Sequence, residues 1–572
     1  MIFSSKRKKA IVLCVLLMLF RSMTAQNYLG FSHSRFAGFL GVEVNPASIL
    51  TKDLRTDWLI PVGFDLSMQN NGFTYKKDKA SGFRSFETGK LVLDDPKKGR
   101  FDGRINVNSL GFMLSLSDKD AIAVATRLRA YGNIKVNEKA VDLLDGDFFN
   151  LFDDPFTSFV INGAASGTEI EATGMIWGEL GLTYSRTIWE SKYDDLKAGV
   201  TVKFLEGVGA GHFDFRIDEL SADITSSAIV GDDKTALEDF IASAANTQEL
   251  QDFLSDLADD SVATIPGTTT QIDLSDAAAD PNASLDVLLD AGGQVDYSDN
   301  FDNLTLDNIP KTYNGFGFDI GFVYEFKENP KNFNKYIRSR IHKPVHSRRN
   351  DPPYKWKLGV SVMDIGRIKF DRGQYTYLSN GGKTVPIDVL VDDQTDVLSA
   401  EEQLQEIEDD FEAFLSNPSS NLDSITPYND ISQTSGQFTV GLPTTLNIDW
   451  DYHWKKSFYL NVNGWISMAA FKFSDHTVRN ITKLNVTPRF ERDALALFLP
   501  MSLNYMGQFN MGVGLRAGPL MLGVQNIGSV IYQKRVNRLG VYFALAKGFA
   551  IKKKVDESKS IYFRNEMKRY NR

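Results

Sequence analysis

The chain of 572 residues carries 63 Lys and Arg against 73 Asp and Glu, a formal net charge of −10 that excludes general electrostatic attraction to nucleic acid. Hydrophobic residues are 42% of it, without the long apolar runs that a stack of membrane-spanning helices requires, yet Phe (40), Tyr (20) and Gly (44) are abundant. A single Cys excludes a disulfide framework and a cysteine-based metal site.

The first residues, Lys6-Arg7-Lys8-Lys9, then a nearly unbroken apolar run from Ala10 to Phe20, then small residues up to Ala25, read as a secretory signal peptide over 1–25. An h-region of about eleven residues is too short to cross roughly 30 Å of hydrocarbon as a helix. Cys14 leaves with this segment. So do five basic residues and no acidic ones, which takes the mature chain to a net charge near −15. Residues 26–56 follow no strand period. Gly30-Phe31, Gly38-Phe39 and Asn45-Pro46-Ala47 are set among small residues, which suits a compact segment folded inside a larger shell.

From about residue 57 onward, period-2 alternation recurs. Between Gly315 and Phe326 the even positions are Phe316, Phe318, Ile320, Phe322, Tyr324 and Phe326, and the odd ones are small or acidic. The stretch from Phe438 to Tyr452 repeats the pattern. A soluble sandwich also alternates, but its outward faces are rich in Lys, Glu and Thr. Here the second face mixes Gly, Ser, Asn and isolated charges, and Trp58, Trp356, Trp450 and Tyr452 cluster at strand ends. An apolar belt outside, aromatic girdles and a polar interior describe an all-β fold, a transmembrane antiparallel β-barrel. Strands are expected near 57–68, 104–117, 120–136, 172–187, 195–215, 313–327, 355–371, 437–453, 457–471, 482–493, 495–506, 509–518, 519–532 and 539–551, about fourteen in all. Connections after the first, third, fifth and seventh strands are long and those after the second, fourth and eighth are short, with one departure, the long connection from Glu328 to Tyr354 after the sixth. That is the asymmetry of a barrel inserted with both termini on the periplasmic side. The barrel domain is 57–551, and a basic tail covers 552–572.

The long connections are acidic. Asp218 to Pro310 holds about 21 acids against one Lys, and 373–436 is similar. Short helices are expected at Thr235–Ala245, Thr247–Asp259 and from Ser399 to about Leu415. The Lys327–Lys357 turn is basic. Strand parity points Asp65, Arg127, Arg129, Glu179, Lys203, Asp319, Glu325, Asp449, Arg489 and Arg516 inward, where both signs brace the wall as a salt-bridge network or line a conduit.

Catalytic chemistry is not found. His342 and His346 have helical metal spacing, but Pro344 breaks that helix, and His476 reads as an exposed loop histidine. No phosphate-binding loop or nucleophile elbow occurs, so neither enzyme, metal nor cofactor is expected.

Asn45-Pro46-Ala47 in a Gly-rich N-terminal segment ahead of about fourteen strands resembles the long-chain fatty-acid transporter family. Trp177-Gly178-Glu179, Lys197-Ala198-Gly199, Asp364-Ile365-Gly366 and Leu442-Pro443 resemble Bacteroidetes-type outer-membrane barrels related to it. The resemblance implies that 26–56 is a hatch in the lumen with Asn45, Pro46 and Ala47 at its centre. It also implies an outer-membrane location, with membrane lipid and a hydrophobic or amphiphilic small molecule as partners. The expected function is passage or binding of that molecule through a hatch-gated lumen. The alternative is a structural or secretion-system barrel that contacts other envelope proteins through its acidic loops.

Overall fold

A computed structural model describes residues 30–34, 36–50, 56–71, 73–77, 89–93, 98–117, 119–137, 168–191, 193–225, 262–264, 271–273, 284–299, 311–327, 354–373, 377–379, 383–387, 432–433, 435–455, 457–470, 474–492, 495–527 and 538–549. The expected signal peptide, the expected acidic-loop helices, the His342–His346 stretch and the basic tail lie outside the described residues.

Fourteen wall strands follow one another in chain order. They are β1 (Thr56–Asn70), β2 (Lys98–Ser115), β3 (Asp120–Asn137), β4 (Thr168–Glu190), β5 (Asp194–Thr225), β6 (Tyr313–Phe326) and β7 (Trp356–Asp371). Then come β8 (Gln437–Gly441 and Thr445–Lys455), β9 (Phe458–Ser467), β10 (Lys483–Glu491) and β11 (Leu495–Phe498 and Met501–Asn504). The last are β12 (Phe509–Met511 and Val513–Ala517), β13 (Leu520–Val524) and β14 (Arg538–Phe549). Each is antiparallel to the next, and β14 pairs back to β1 from Thr56↔Phe549 to Gln69↔Arg538. The sheet therefore closes on itself, and no edge is left among these strands.

The alternation gives an inside-out barrel. On β6, Phe316 and Phe322 are 54% and 45% exposed on the outer face, while Asp319 is 0% exposed on the inner one. Tyr324, Phe326 and Trp356 cluster where β6 meets β7 at the short-turn end, and Trp450 stacks on Tyr452 nearby. Two short turns share a Ser-x-x-Asp sequence with one local solution. The Ser117 hydroxyl accepts from the backbone N–H groups of Lys119 and Asp120, and Ser191 does the same for Tyr193 and Asp194.

Three differences from the sequence reading have physical causes. β5 continues to Thr225 because its outer half gains a partner, the strand Ser284–Tyr297, inside what reads as a loop. The 373–436 connection likewise contributes Tyr377–Ser379 and Lys383–Ile387, both paired with that strand. β9 stops at Ser467, and beyond it residues 474–482 turn into the wall and interior. His476 and Thr477 pair parallel with Val440 and Gly441 of β8, and Val478 and Ile481 are buried.

Residues 30–34 and 36–50 occupy the interior at the short-turn end, with two short 3-10 helices, Gly38–Glu43 and Pro46–Ile49. Phe31, Phe39, Leu40, Val42 and Ile49 pack on Ala121, Ala123 and Ala125 of β3 and on Met113, Phe498 and Met521. A side chain at Gly111 would collide with the Phe39 ring. The inner wall is thus pared to Ala and Gly where this segment sits.

Placing a cation on the lipid face tests this orientation. Ile320→Arg, at the middle of β6 on the outer face, should destabilise the barrel by about 2–4 kcal/mol in urea titrations from phospholipid vesicles. No loss would turn the barrel's faces around.

Candidate functional site

The centre of the interior is a closed charge cluster. Arg127 Nη2 lies 2.9 Å from Glu179 Oε1, and Arg129 Nη1 lies 3.1 Å from Glu179 Oε2. Arg129 also grips Asp364 with two parallel bonds, Nη1 to Oδ1 at 2.6 Å and Nη2 to Oδ2 at 2.8 Å. Lys203 Nζ reaches Asp364 Oδ1 at 2.5 Å and Asp319 Oδ1 at 2.7 Å. Three cations meet three carboxylates, and the Arg129 guanidinium lies 4.9 Å from the Trp177 ring centroid.

Asp364 joins these groups through a β-bulge. Phe318 pairs with Ile365 and Ile320 with Val362, so Asp319 stands opposite both Met363 and Asp364. Asp364 adopts φ of 59°, and its N–H donates to Asp319 Oδ1 at 2.7 Å. Strict parity sends residue 364 outward; the bulge turns it in, and the inward positions after it become Ile368 and Phe370. Asp364 is therefore a cluster member that alternation misses, although Asp364-Ile365-Gly366 stands out in the sequence.

All ten charged residues read as inward are buried. Arg127, Arg129, Glu179, Lys203 and Asp319 share the central cluster. Glu325 pairs with Lys197 at 2.6 Å, Arg489 pairs with Asp451 at 2.5 Å and Glu491 at 2.7 Å, and Arg516 donates to the Arg492 carbonyl at 2.6 Å. Asp65 faces inward on β1 opposite Asn106 of β2. Asp449 accepts from His33 Nδ1 at 2.9 Å, and His33 belongs to the inner segment.

Asn45, Pro46 and Ala47 are seated in a notch. Gly199 of β5 and Gly321 of β6 are register partners. A side chain at the first would collide with the backbone of Ala47, and one at the second with the Asn45 side chain. Asn45 caps the turn it opens, its Oδ1 accepting from Ala47 N at 2.9 Å. Its Nδ2 donates to the carbonyls of Phe322 (3.0 Å) and Val360 (3.3 Å), which face each other across β6 and β7. Wall side chains hold the segment's backbone in return. Lys197 Nζ donates to Leu50 O at 3.0 Å, Lys357 Nζ to His33 O at 3.1 Å and Ser361 Oγ to Val44 O at 2.6 Å. Lys197, Lys357, His33 and Glu43, which accepts from Asn108 at 2.6 Å, were not among the sequence candidates. The two lysines do follow inward parity; the other two lie where no period operates.

At the long-loop end His476 is buried, contrary to its reading as an exposed loop residue. Its ring stacks on His212 with centroids 3.7 Å apart, and Nε2 lies 2.7 Å from Asp296 Oδ2. Arg372 Nε bonds the other Asp296 oxygen at 2.7 Å. The inward turn of 474–482 and the added strand cause this burial. Burial alone would raise the Asp296 carboxyl, but the bonds from His476 and Arg372 outweigh it and hold the group below the usual carboxylate range. No group of three or more metal-ligating side chains occurs among the described residues.

Residues 46–525 match the model of a Family of unknown function (DUF5723), and the chain belongs to that family. No curated protein matches. Among solved structures, similarity is found to the Ralstonia pickettii toluene transporter TbuX, at 8% identity and a TM-score of 0.34, covering 90% of this chain and 94% of that one. A Pseudomonas aeruginosa FadL homologue matches at 12% identity and 0.33, covering 90% and 93%, and the Pseudomonas putida toluene transporter TodX at 8% and 0.27, covering 92% and 99%. At such values the barrel assignment rests on this chain's own strand pairing.

Two outcomes follow from these contacts. Lys203→Met strands Asp319 in the interior, Asp364 keeping Arg129, and should cost about 3–5 kcal/mol in urea titration, part of it recovered in Lys203→Met with Asp319→Asn. Because Asp296 sits below its unfolded value, its contribution is complete above the ordinary carboxylate range and fades only as pH falls through the lower folded value. Asp296→Asn should therefore lower stability at neutral pH and flatten the acid limb of a near-UV circular dichroism titration; an unchanged limb would rule out this role.

Proposed function

We propose that this barrel lies in the outer membrane and binds or passes a hydrophobic or amphiphilic small molecule, with residues 26–56 as its hatch. The observation that carries the reading is the seating of Asn45-Pro46-Ala47 in the Gly199–Gly321 notch. The segment continues into β1 through the main chain, and its described part is otherwise held to the wall by non-covalent contacts, apolar packing and hydrogen bonds. Its described part fills the short-turn end of the interior. Displacing it opens space beside apolar side chains without unpairing a wall strand. An apolar solute entering that space would gain roughly 25 cal/mol per Å2 of its surface removed from water. The inward charges are engaged with one another, so their part is to orient a polar end rather than to attract ions.

The test separates seating from folding. Gly199→Val puts a branched side chain where the Ala47 backbone lies, while its position on β5 remains a strand position that favours Val. In porin-deficient cells carrying the barrel, outer-membrane uptake of the fluorescent apolar probe N-phenyl-1-naphthylamine should rise at least fivefold for Gly199→Val over the unaltered chain. The variant should still migrate as a heat-modifiable folded barrel. Equal, background uptake by both folded proteins would eliminate the hatch-gated conduit.

A further inference from the structure

A second feature lies nearer the long-loop end, apart from the notch. A cavity of about 210 Å3 separates β2, β3 and β4 from residues 474–482. Its lining includes Arg100 and Asp102 of β2, Asn133 and Lys135 of β3, Glu171 of β4, Arg479 and Tyr505. Since an engineered cavity of about 150 Å3 admits benzene, this one takes a six-membered ring with substituents.

The lining is built rather than accidental. The Asn133 side-chain amide pairs with the backbone of Arg479 in both directions, accepting from its N at 2.6 Å and donating to its O at 3.1 Å. Asn133 Nδ2 also donates to Asp102 Oδ1 at 2.7 Å, and the Tyr505 hydroxyl donates to Asp102 Oδ2 at 2.8 Å. Arg479 Nη2 bonds Glu171 Oε1 at 2.9 Å. The Arg100 guanidinium lies 5.3 Å from the Tyr505 ring centroid.

Charge decides the class of occupant. A cation would meet Arg100, Lys135 and Arg479. An anion could use Arg100, but would face Asp102 and Glu171, while Lys135 and Arg479 are already engaged by Glu169 and Glu171. A neutral group whose atoms both donate and accept suits carboxylates, amides and guanidinium groups alike, and only the hydroxyl does so at every position. We propose that this cavity is a binding site for a single neutral sugar-like ring, such as the hydroxylated head of a glycosylated amphiphile. Asp102, Asn133, Glu171 and Arg100 would hydrogen-bond its hydroxyls. The site stands on its own lining and does not require that the barrel conduct.

Saturation-transfer difference NMR on the full chain in detergent micelles tests it with three probes: methyl β-D-glucopyranoside, decanoate and tetramethylammonium. Transfer to the ring protons of the glucoside is expected, reduced at least fivefold in Asp102→Asn and in Glu171→Gln. Both variants should keep heat-modifiable migration. Absence of glucoside transfer, or equal transfer in both folded variants, overturns the proposal. Transfer to decanoate or tetramethylammonium alone overturns it in favour of a charged head group. Because the readout is binding, Gly199→Val should leave the glucoside signal intact, so failure of the hatch and failure of this site are told apart.

Discussion

In hydrocarbon a backbone N–H or C=O has no water to turn to, and closure of β14 on β1 is the condition under which every wall strand finds two neighbours. The rest of the molecule follows from that ring of pairings. Once the sheet closes, each position is either outside or inside, and a shift of one residue exchanges the two faces. Phe316, Phe318 and Phe322 must then meet lipid, and Asp319 and Glu325 must find partners within. The interior charges are a consequence of the wall and are tolerable only because they meet each other.

The interior answers the wall in layers. At the short-turn end the wall recedes to Ala121, Ala123, Ala125, Gly111 and Gly199, and residues 30–50 fill the space gained. In the middle, three cations and three carboxylates meet. Beyond them Tyr131, Trp177, Tyr313, Phe370 and Phe438 form a second apolar cluster. Lys197 and Lys357 each serve both worlds: Lys197 pairs with Glu325 and holds the Leu50 carbonyl, and Lys357 lies 3.9 Å from Asp449 and holds the His33 carbonyl. The inner segment and the wall charges thus form one hydrogen-bonded system.

The wall was legible in the sequence because a closed sheet between lipid and a filled interior imposes one period on every strand. Alternation and loop lengths gave about fourteen strands, and the ten charged side chains that parity pointed inward are buried. What escaped has a physical reason in each case. Asp364 is hidden by the bulge that turns it inward, and the same insertion changes parity for the rest of β7. His33 and Glu43 sit in a segment with no period. His476 becomes buried because 474–482 turns inward and Ser284–Tyr297 extends the sheet and supplies Asp296, a pairing between stretches far apart in the chain. A missed signal was available in the small inward residues: Gly199 and Gly321 fall on inner positions of neighbouring strands, where a barrel interior filled by its own side chains would carry something larger.

The bulge at Asp364 shows why a desolvated ion cluster persists where apolar packing is often at least as stable. A residue at φ of 59° is strained unless its surroundings fix it, and here a donated N–H bond to Asp319 does so locally. The carboxylate then reaches Arg129 of β3 and Lys203 of β5, which flank β4, while β6 separates β5 from its own strand β7. No apolar side chain could hold an irregular backbone and two non-adjacent strands at once with directional bonds. The register shift between β6 and β7, the inward set of Asp364 and the neutrality of the barrel's centre are one arrangement, and Asp364 is the residue at which they meet.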